Sequence, residues 1–111
     1  MSYGLAEAGA DPEVLRQVIS VSSGNSALFE ARVRDFLLKD SFEPGFLLDL
    51  KKKDVGIGVT MAKAKNVPIP LGAVAYQTYA AARSLGAGKL DFSAVCKVIE
   101  TLTRVKIGTS K

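Results

Sequence analysis

FLLDLKKKDVGIGVTMAKAK, residues 46–65, is the stretch that decides the fold of this chain. If it forms one continuous helix, with successive residues about 100° apart, four apolar side chains share a narrow arc: Phe46, Leu50, Ile57 and Met61. Asp54 falls in the same arc. Other apolar residues cover much of the remaining circumference, so the stretch predicts a central helix with packing partners on several sides.

Helix start and stop signals flank this stretch on both sides. The other predicted helices span about 11–22, 26–39, 71–85 and 91–102. Asp11 and Asp91 are candidate N-caps, since an aspartate side chain accepts unpaired N–H groups of a first turn. No segment alternates with the period of two that a half-buried strand requires. The sequence therefore predicts an all-α fold of about five helices in a single domain, residues 1–111, with a frayed tail at 106–111.

The composition is that of a folded protein and does not indicate a nucleic-acid or membrane partner. Its 111 residues are 48% hydrophobic and 23% charged, and the net charge of +4 is dispersed along the chain. Nucleic acid is therefore not an expected partner. No apolar run approaches the roughly 18 residues of a membrane span, and no export signal is visible. The single Cys96, expected to be buried, is compatible with a cytoplasmic location.

The residue types present also restrict the chemistry. The chain has no histidine and one cysteine. Catalysis by histidine as a general acid or base is excluded, as are Ser-His-Asp triads, and no metal site is expected. What folding does not explain is Asp54 on an apolar arc, in a helix that Gly56 and Gly58 each weaken by about 1 kcal/mol relative to alanine. Either Asp54 pairs with a neighbouring lysine or arginine at a domain edge, or it belongs to a functional site.

The order and spacing of several short motifs resemble a known family. These motifs are GADPEVL at 9–15, SGNS at 23–26, FEPGF at 42–46, LKKKDVG at 50–56, VPIPL at 67–71 and DFSAV at 91–95. Together they resemble the C-terminal domain of the 3-hydroxyisobutyrate dehydrogenase, or β-hydroxyacid dehydrogenase, family, which includes tartronate semialdehyde and glyoxylate/succinic semialdehyde reductases. The resemblance implies a helical bundle like the C-terminal domain of 6-phosphogluconate dehydrogenase, truncated upstream of the family's long inter-domain helix.

This resemblance also implies a function. The full-length protein would transfer a hydride between NAD or NADP and a small hydroxy acid or semialdehyde. Lys53 and Asp54 match the family motif that faces the nicotinamide end of the cofactor, and Phe46 matches the aromatic wall beside the substrate. The family's catalytic lysine would lie upstream, so no catalytic residue is expected in this chain, which alone would be inactive. Implied partners are the N-terminal Rossmann domain of the same protein, which holds most of the dinucleotide, and a second copy in a homo-oligomer.

Two other functions fit the residues. The chain could be a stand-alone helical interaction module that has kept the fold and lost catalysis. A basic nucleic-acid-binding bundle is the weakest alternative, because no helix concentrates arginine and lysine on one face. In the dehydrogenase interpretation, the chain closes the active-site cleft and mediates oligomerisation.

Overall fold

Short helices joined by tight turns make up the part of the chain that the computed structural model describes, residue 3 and residues 8–108. The α-helices are α1 (Pro12–Ser20), α2 (Ala27–Arg32), α3 (Leu48–Ala64), α4 (Pro70–Ser84) and α5 (Lys97–Thr103). A π-helical segment, Val33–Leu37, continues α2, and a 3-10 helix, Phe92–Cys96, precedes α5. The described residues contain no strand; one antiparallel bridge joins Leu47 and Asp91.

The starts of two elements follow directly from the sequence. Asp11 accepts a hydrogen bond of 2.9 Å from the backbone N–H of Glu13, and Pro12 occupies the first helical position of α1. Asp91 accepts one of 3.0 Å from the backbone N–H of Ser93 at the start of the 3-10 helix. Both predicted caps are therefore confirmed.

Two compact units divide the chain. One contains the described residues up to Glu43 together with those from Ile99 onward; the other is Pro44–Val98. In the first unit the Lys106 ammonium lies 2.8 Å from an Asp40 carboxylate oxygen, and Ile107 is buried. These two contacts involve the first residues of the tail; its fraying over residues 106–111 stays a prediction, and residues 109–111 lie outside the described range.

The second unit is built on α3 and α4, which pack against each other and against the 3-10 helix. Leu48 and Ala82 are fully buried there. Cys96 is buried as predicted and forms no disulfide. None of the helices in the described residues is long and apolar enough to cross a bilayer.

Two of the five predicted helices differ in type from the observed elements. The expected helix 26–39 is α-helical only over Ala27–Arg32; in the segment that follows, the hydrogen bonds join residues five apart, as from the Leu38 N–H to the Val33 carbonyl. The expected fifth helix begins as a 3-10 helix. The assignment of residues 1–111 to a single domain stays a prediction. Periodicity identifies the face that a helix buries, but it does not specify which helices share a core.

Candidate functional site

The apolar arc of α3 is exposed. Leu50, Ile57 and Met61 are 45%, 50% and 64% exposed, and Asp54 between them is exposed too. The predicted central position of this helix, apolar on most sides and covered by partners, is therefore wrong within this chain. Asp54 carries no burial penalty here, because water solvates its carboxylate. Helical spacing shows that side chains share a face, but it does not show what covers that face.

The three predicted site residues occupy different places on this surface. Lys53 and Asp54 lie in the middle of α3, both exposed. Phe46 precedes the helix, is 38% exposed and packs edge-on against Phe92, with ring centroids 6.2 Å apart. Only Lys53 borders the groove described next. Lys53 and Asp54 are consecutive residues of α3, and Phe46 lies two residues before its start.

A groove of about 630 Å³ runs between α3 and α4. Its lining includes three cationic side chains, one carboxylate and several apolar or hydroxyl-bearing residues: Lys52, Lys53, Arg83, Asp49, Gly56, Ile57, Thr60, Met61 and Tyr76. No sequence pattern indicates this groove, because the groove exists only where α4 lies beside α3. We refer to it as the α3/α4 groove.

The lysine run 51–53 separates in three directions, since neighbouring residues on a helix lie about 100° apart. The Lys51 ammonium lies 5.2 Å from the ring centroid of Phe92. Lys52 donates a hydrogen bond of 3.3 Å to the hydroxyl of Tyr76, with its ammonium 4.9 Å from the centroid of that ring. Cation–π contacts of this kind orient a flexible side chain.

Asp49 closes one end of the α3/α4 groove. Its carboxylate lies 3.2 Å from Arg83 Nε and 3.2 Å from Lys89 Nζ, so one anion is shared between two cations. Asp49 Oδ1 is buried, and although Arg83 is its ion-pair partner, no hydrogen bond with good geometry reaches it. This end of the groove therefore carries a net positive charge.

Asp91 is the most fully buried charged residue of the second unit, and the sequence indicates only its cap role. One carboxylate oxygen accepts hydrogen bonds of 3.0 Å from the backbone N–H groups of both Gly45 and Phe46, while the other accepts from Ser93. Burial alone would raise the pKa of Asp91, but these hydrogen bonds outweigh burial and hold the pKa below its usual value. Asp91 thereby positions the backbone of Phe46.

Two glycines of α3 should respond oppositely to alanine. A Cβ on Gly56 would lie 2.8 Å from Cε1 of Tyr76, whereas a Cβ on Gly58 meets nothing within 4 Å. Gly58→Ala is expected to raise the free energy of unfolding by about 0.5–1 kcal/mol through helix propensity alone. Gly56→Ala is expected to lower it by about 1 kcal/mol, because overpacking against Tyr76 exceeds that gain. Urea unfolding measures both, and equal stabilisation by the two substitutions would show that Tyr76 does not pack on Gly56.

Comparison with known proteins identifies the family. The family model described as "NAD-binding of NADP-dependent 3-hydroxyisobutyrate dehydrogenase" matches residues 3–99. The chain is 39% identical to 2-(hydroxymethyl)glutarate dehydrogenase of Eubacterium barkeri over 89% of its own length, and 41% identical to L-threonate dehydrogenase of Cupriavidus necator over 88%. These alignments cover 33% and 32% of those relatives, so the chain spans about a third of their length.

Two solved structures of 3-hydroxyisobutyrate dehydrogenases also resemble the chain. The 3-hydroxyisobutyrate dehydrogenase of Salmonella typhimurium superposes with a TM-score of 0.82 at 33% identity, over 87% of this chain and 34% of that one. The enzyme of Mycobacterium tuberculosis gives a TM-score of 0.75 at 29% identity, over 88% of this chain and 36% of that one.

The family match corrects the predicted fold class. The chain was expected to resemble the C-terminal bundle of 6-phosphogluconate dehydrogenase, but the matching family is described as NAD-binding. Helical periodicity is a local property and does not show which part of a larger enzyme a helical segment represents. The predicted cofactor, NAD or NADP, is confirmed by the same match. The chain belongs to the NAD-binding family of 3-hydroxyisobutyrate dehydrogenases.

Proposed function

We propose that the chain is part of an NAD(P)-dependent dehydrogenase that acts on small hydroxy acids or semialdehydes. In this proposal Lys53 and Asp54 contact the cofactor, and Phe46 forms a wall of the substrate pocket. Family membership supports the reaction class. The observation that carries the proposal is the exposed arc of α3, where a lysine and an aspartate lie among apolar side chains that are 45–64% exposed.

The residues of this arc fit a nicotinamide group. An ammonium donates hydrogen bonds to a carboxamide oxygen, and a carboxylate accepts them from a carboxamide N–H. Leu50 and Ile57, one turn to either side of Asp54, are half exposed and offer apolar contact to a flat ring. When bound, the cofactor accepts or supplies the hydride. Lys53 and Asp54 would hold and orient it.

Phe46 is suited to a pocket wall because its backbone is fixed. Its N–H donates to Asp91, and its carbonyl accepts a hydrogen bond of 2.7 Å from the N–H of Phe92. Both backbone polar groups are thereby engaged, so the partly exposed ring extends from a rigid base. Rigid placement of this kind is what a substrate contact requires.

Apolar side chains elsewhere on the surface support the proposed partners. On α4, Leu71 is 84% and Val74 63% exposed. Such a surface favours contact with protein. We assign it to the N-terminal Rossmann domain of the same protein or to a second copy in a homo-oligomer, with the chain closing the active-site cleft and inactive alone.

A chimera tests the proposed function. This chain would replace the matching segment of Cupriavidus necator L-threonate dehydrogenase, and NADH formation would be followed with L-threonate and other small hydroxy acids. Asp54→Asn and Lys53→Met are each expected to reduce kcat/KM about 10- to 100-fold, because each removes a charge-assisted hydrogen bond.

Lys63→Met is the matched control, since Lys63 is an exposed lysine on the same helix outside the α3/α4 groove. It should leave kcat/KM unchanged. An active chimera in which the Asp54 and Lys53 variants also keep full activity would remove these residues from the proposed site. A folded chimera with no activity on any hydroxy acid would count against the reaction class for this chain.

A further inference from the structure

The α3/α4 groove has hydrogen-bond donors beyond Lys53, the residue that the proposed cofactor contact uses. Four further lining residues carry N–H or O–H donors: Lys52, Thr60, Tyr76 and Arg83. Asp49 is the only lining residue with a carboxylate. Three cations against one anion leave a net charge of +2 in the groove, which attracts anions by simple electrostatics.

Lys52 is already oriented for such a ligand. Its ammonium is held by the hydroxyl of Tyr76 and lies over the ring of the same residue. An ammonium has three N–H donors, so one bond to Tyr76 leaves two for a ligand. A side chain fixed before binding loses less rotamer entropy on binding than a free one.

Arg83 provides the second fixed cation. Asp49 holds its guanidinium at 3.2 Å, and the same carboxylate also serves Lys89. A guanidinium has five N–H donors in a planar fork, more than a shared carboxylate can accept. The Arg83 side chain is 63% exposed, so the remaining donors are accessible from the groove.

Two apolar side chains also line the groove. Ile57 and Met61 are 50% and 64% exposed. They offer contact to a hydrocarbon chain, which an inorganic ion lacks. A groove that combines cationic and apolar lining residues favours a small molecule with one charged group and a hydrocarbon part.

We propose that the α3/α4 groove binds a small aliphatic anion, whose carboxylate or phosphate ester contacts Lys52 and Arg83 while its hydrocarbon chain packs on Ile57 and Met61. The groove is open to solvent and screened by it, so each ion pair contributes modestly and the Kd is expected on the order of 1 mM. The proposal does not depend on the dehydrogenase reaction, because it concerns binding to this chain alone.

NMR titration of the isotopically labelled 111-residue chain tests it. The probes are pentanoate, butyl phosphate and inorganic phosphate at constant ionic strength, with neutral pentanamide as a blank. Pentanoate, butyl phosphate or both should shift the backbone amide signals of residues 52, 56 and 83 saturably, and which of them does so identifies the charged group. Inorganic phosphate and pentanamide should bind more weakly than the active probe.

Lys52→Gln and Arg83→Gln are each expected to weaken binding of that probe about threefold to tenfold, the loss of one partly screened ion pair. Lys63→Gln removes the same charge from α3 outside the groove and should leave the affinity unchanged. The dispersion of each variant's spectrum shows whether it is folded. Shifts that never saturate, or equal weakening by Lys63→Gln, would overturn the proposal because they indicate general charge screening. Since no turnover is measured, an inactive chimera and an empty groove are separate outcomes.

Discussion

Asp91→Ala is expected to lower the free energy of unfolding by about 3 kcal/mol, because it leaves several backbone N–H groups without their acceptor. Asp91 is completely buried, and its two oxygens accept from Gly45, Phe46 and Ser93. Gly45 and Phe46 are partly exposed, so water replaces part of the loss. The expected loss of unfolding free energy is therefore smaller than the summed contributions of the separate hydrogen bonds.

Asp91→Asn is the matched comparison. The amide oxygen can still accept from Gly45 and Phe46, but the charge and the second acceptor are lost, so about half of the effect is expected. Asp54→Ala, which removes an exposed carboxylate, should change stability by less than about 0.5 kcal/mol. Urea unfolding measures all three. If Asp91→Ala were no worse than Asp54→Ala, the buried acceptor would have no structural role.

The same carboxylate makes stability depend on pH. The folded state holds the pKa of Asp91 below its unfolded value. Its contribution is therefore fully present above the unfolded pKa, about 3.9, and is lost as pH falls through the folded pKa. Wild-type stability should fall with acidification in this range more steeply than that of Asp91→Asn. Parallel losses in the two proteins would contradict the assignment.

Leu48→Ala is the second change with a large expected effect. Leu48 is the largest fully buried apolar side chain in the described residues. Truncating a buried leucine removes its transfer free energy and leaves a cavity, which together cost about 2–5 kcal/mol. Leu50→Ala on the same helix, where the side chain is 45% exposed, should cost less than about 1 kcal/mol. Similar losses for both would mean that Leu48 is not the centre of this core.

The sequence predicted the helices whose ends are set by residues close by in the chain. Asp11 caps α1 and Pro12 is its first residue, while Pro70 is the first residue of α4. The start of α3 is different. Leu47 provides no side-chain cap, and the first N–H groups, of Leu48 and Asp49, donate to the carbonyls of Leu90 and Gly88. No local pattern contains that information, so the sequence placed the start two residues too early.

The candidate site likewise combines features set within one helix, which the sequence predicted, with features set by packing between helices, which it did not. Helical spacing correctly grouped Asp54 with Leu50 and Ile57, because that grouping is a property of one helix. It did not indicate that the face is exposed, nor that Tyr76 and Arg83 of α4 complete a groove beside Lys52. Those features depend on packing between helices. The roles of Lys53, Asp54 and Phe46 toward cofactor and substrate stay predictions, which the chimera tests.

The distant carbonyls that accept from the first N–H groups of α3 have a consequence for how the chain folds. Leu48 and its acceptor Leu90 are 42 residues apart, so the first turn of α3 can be completed only after a long loop has closed. Nucleation is expected in the middle of α3 or in α4, with the turn at residues 46–49 formed late. The amides of Leu48 and Asp49 should then exchange with solvent hydrogen together with those that bond to Asp91, as one cooperative opening unit.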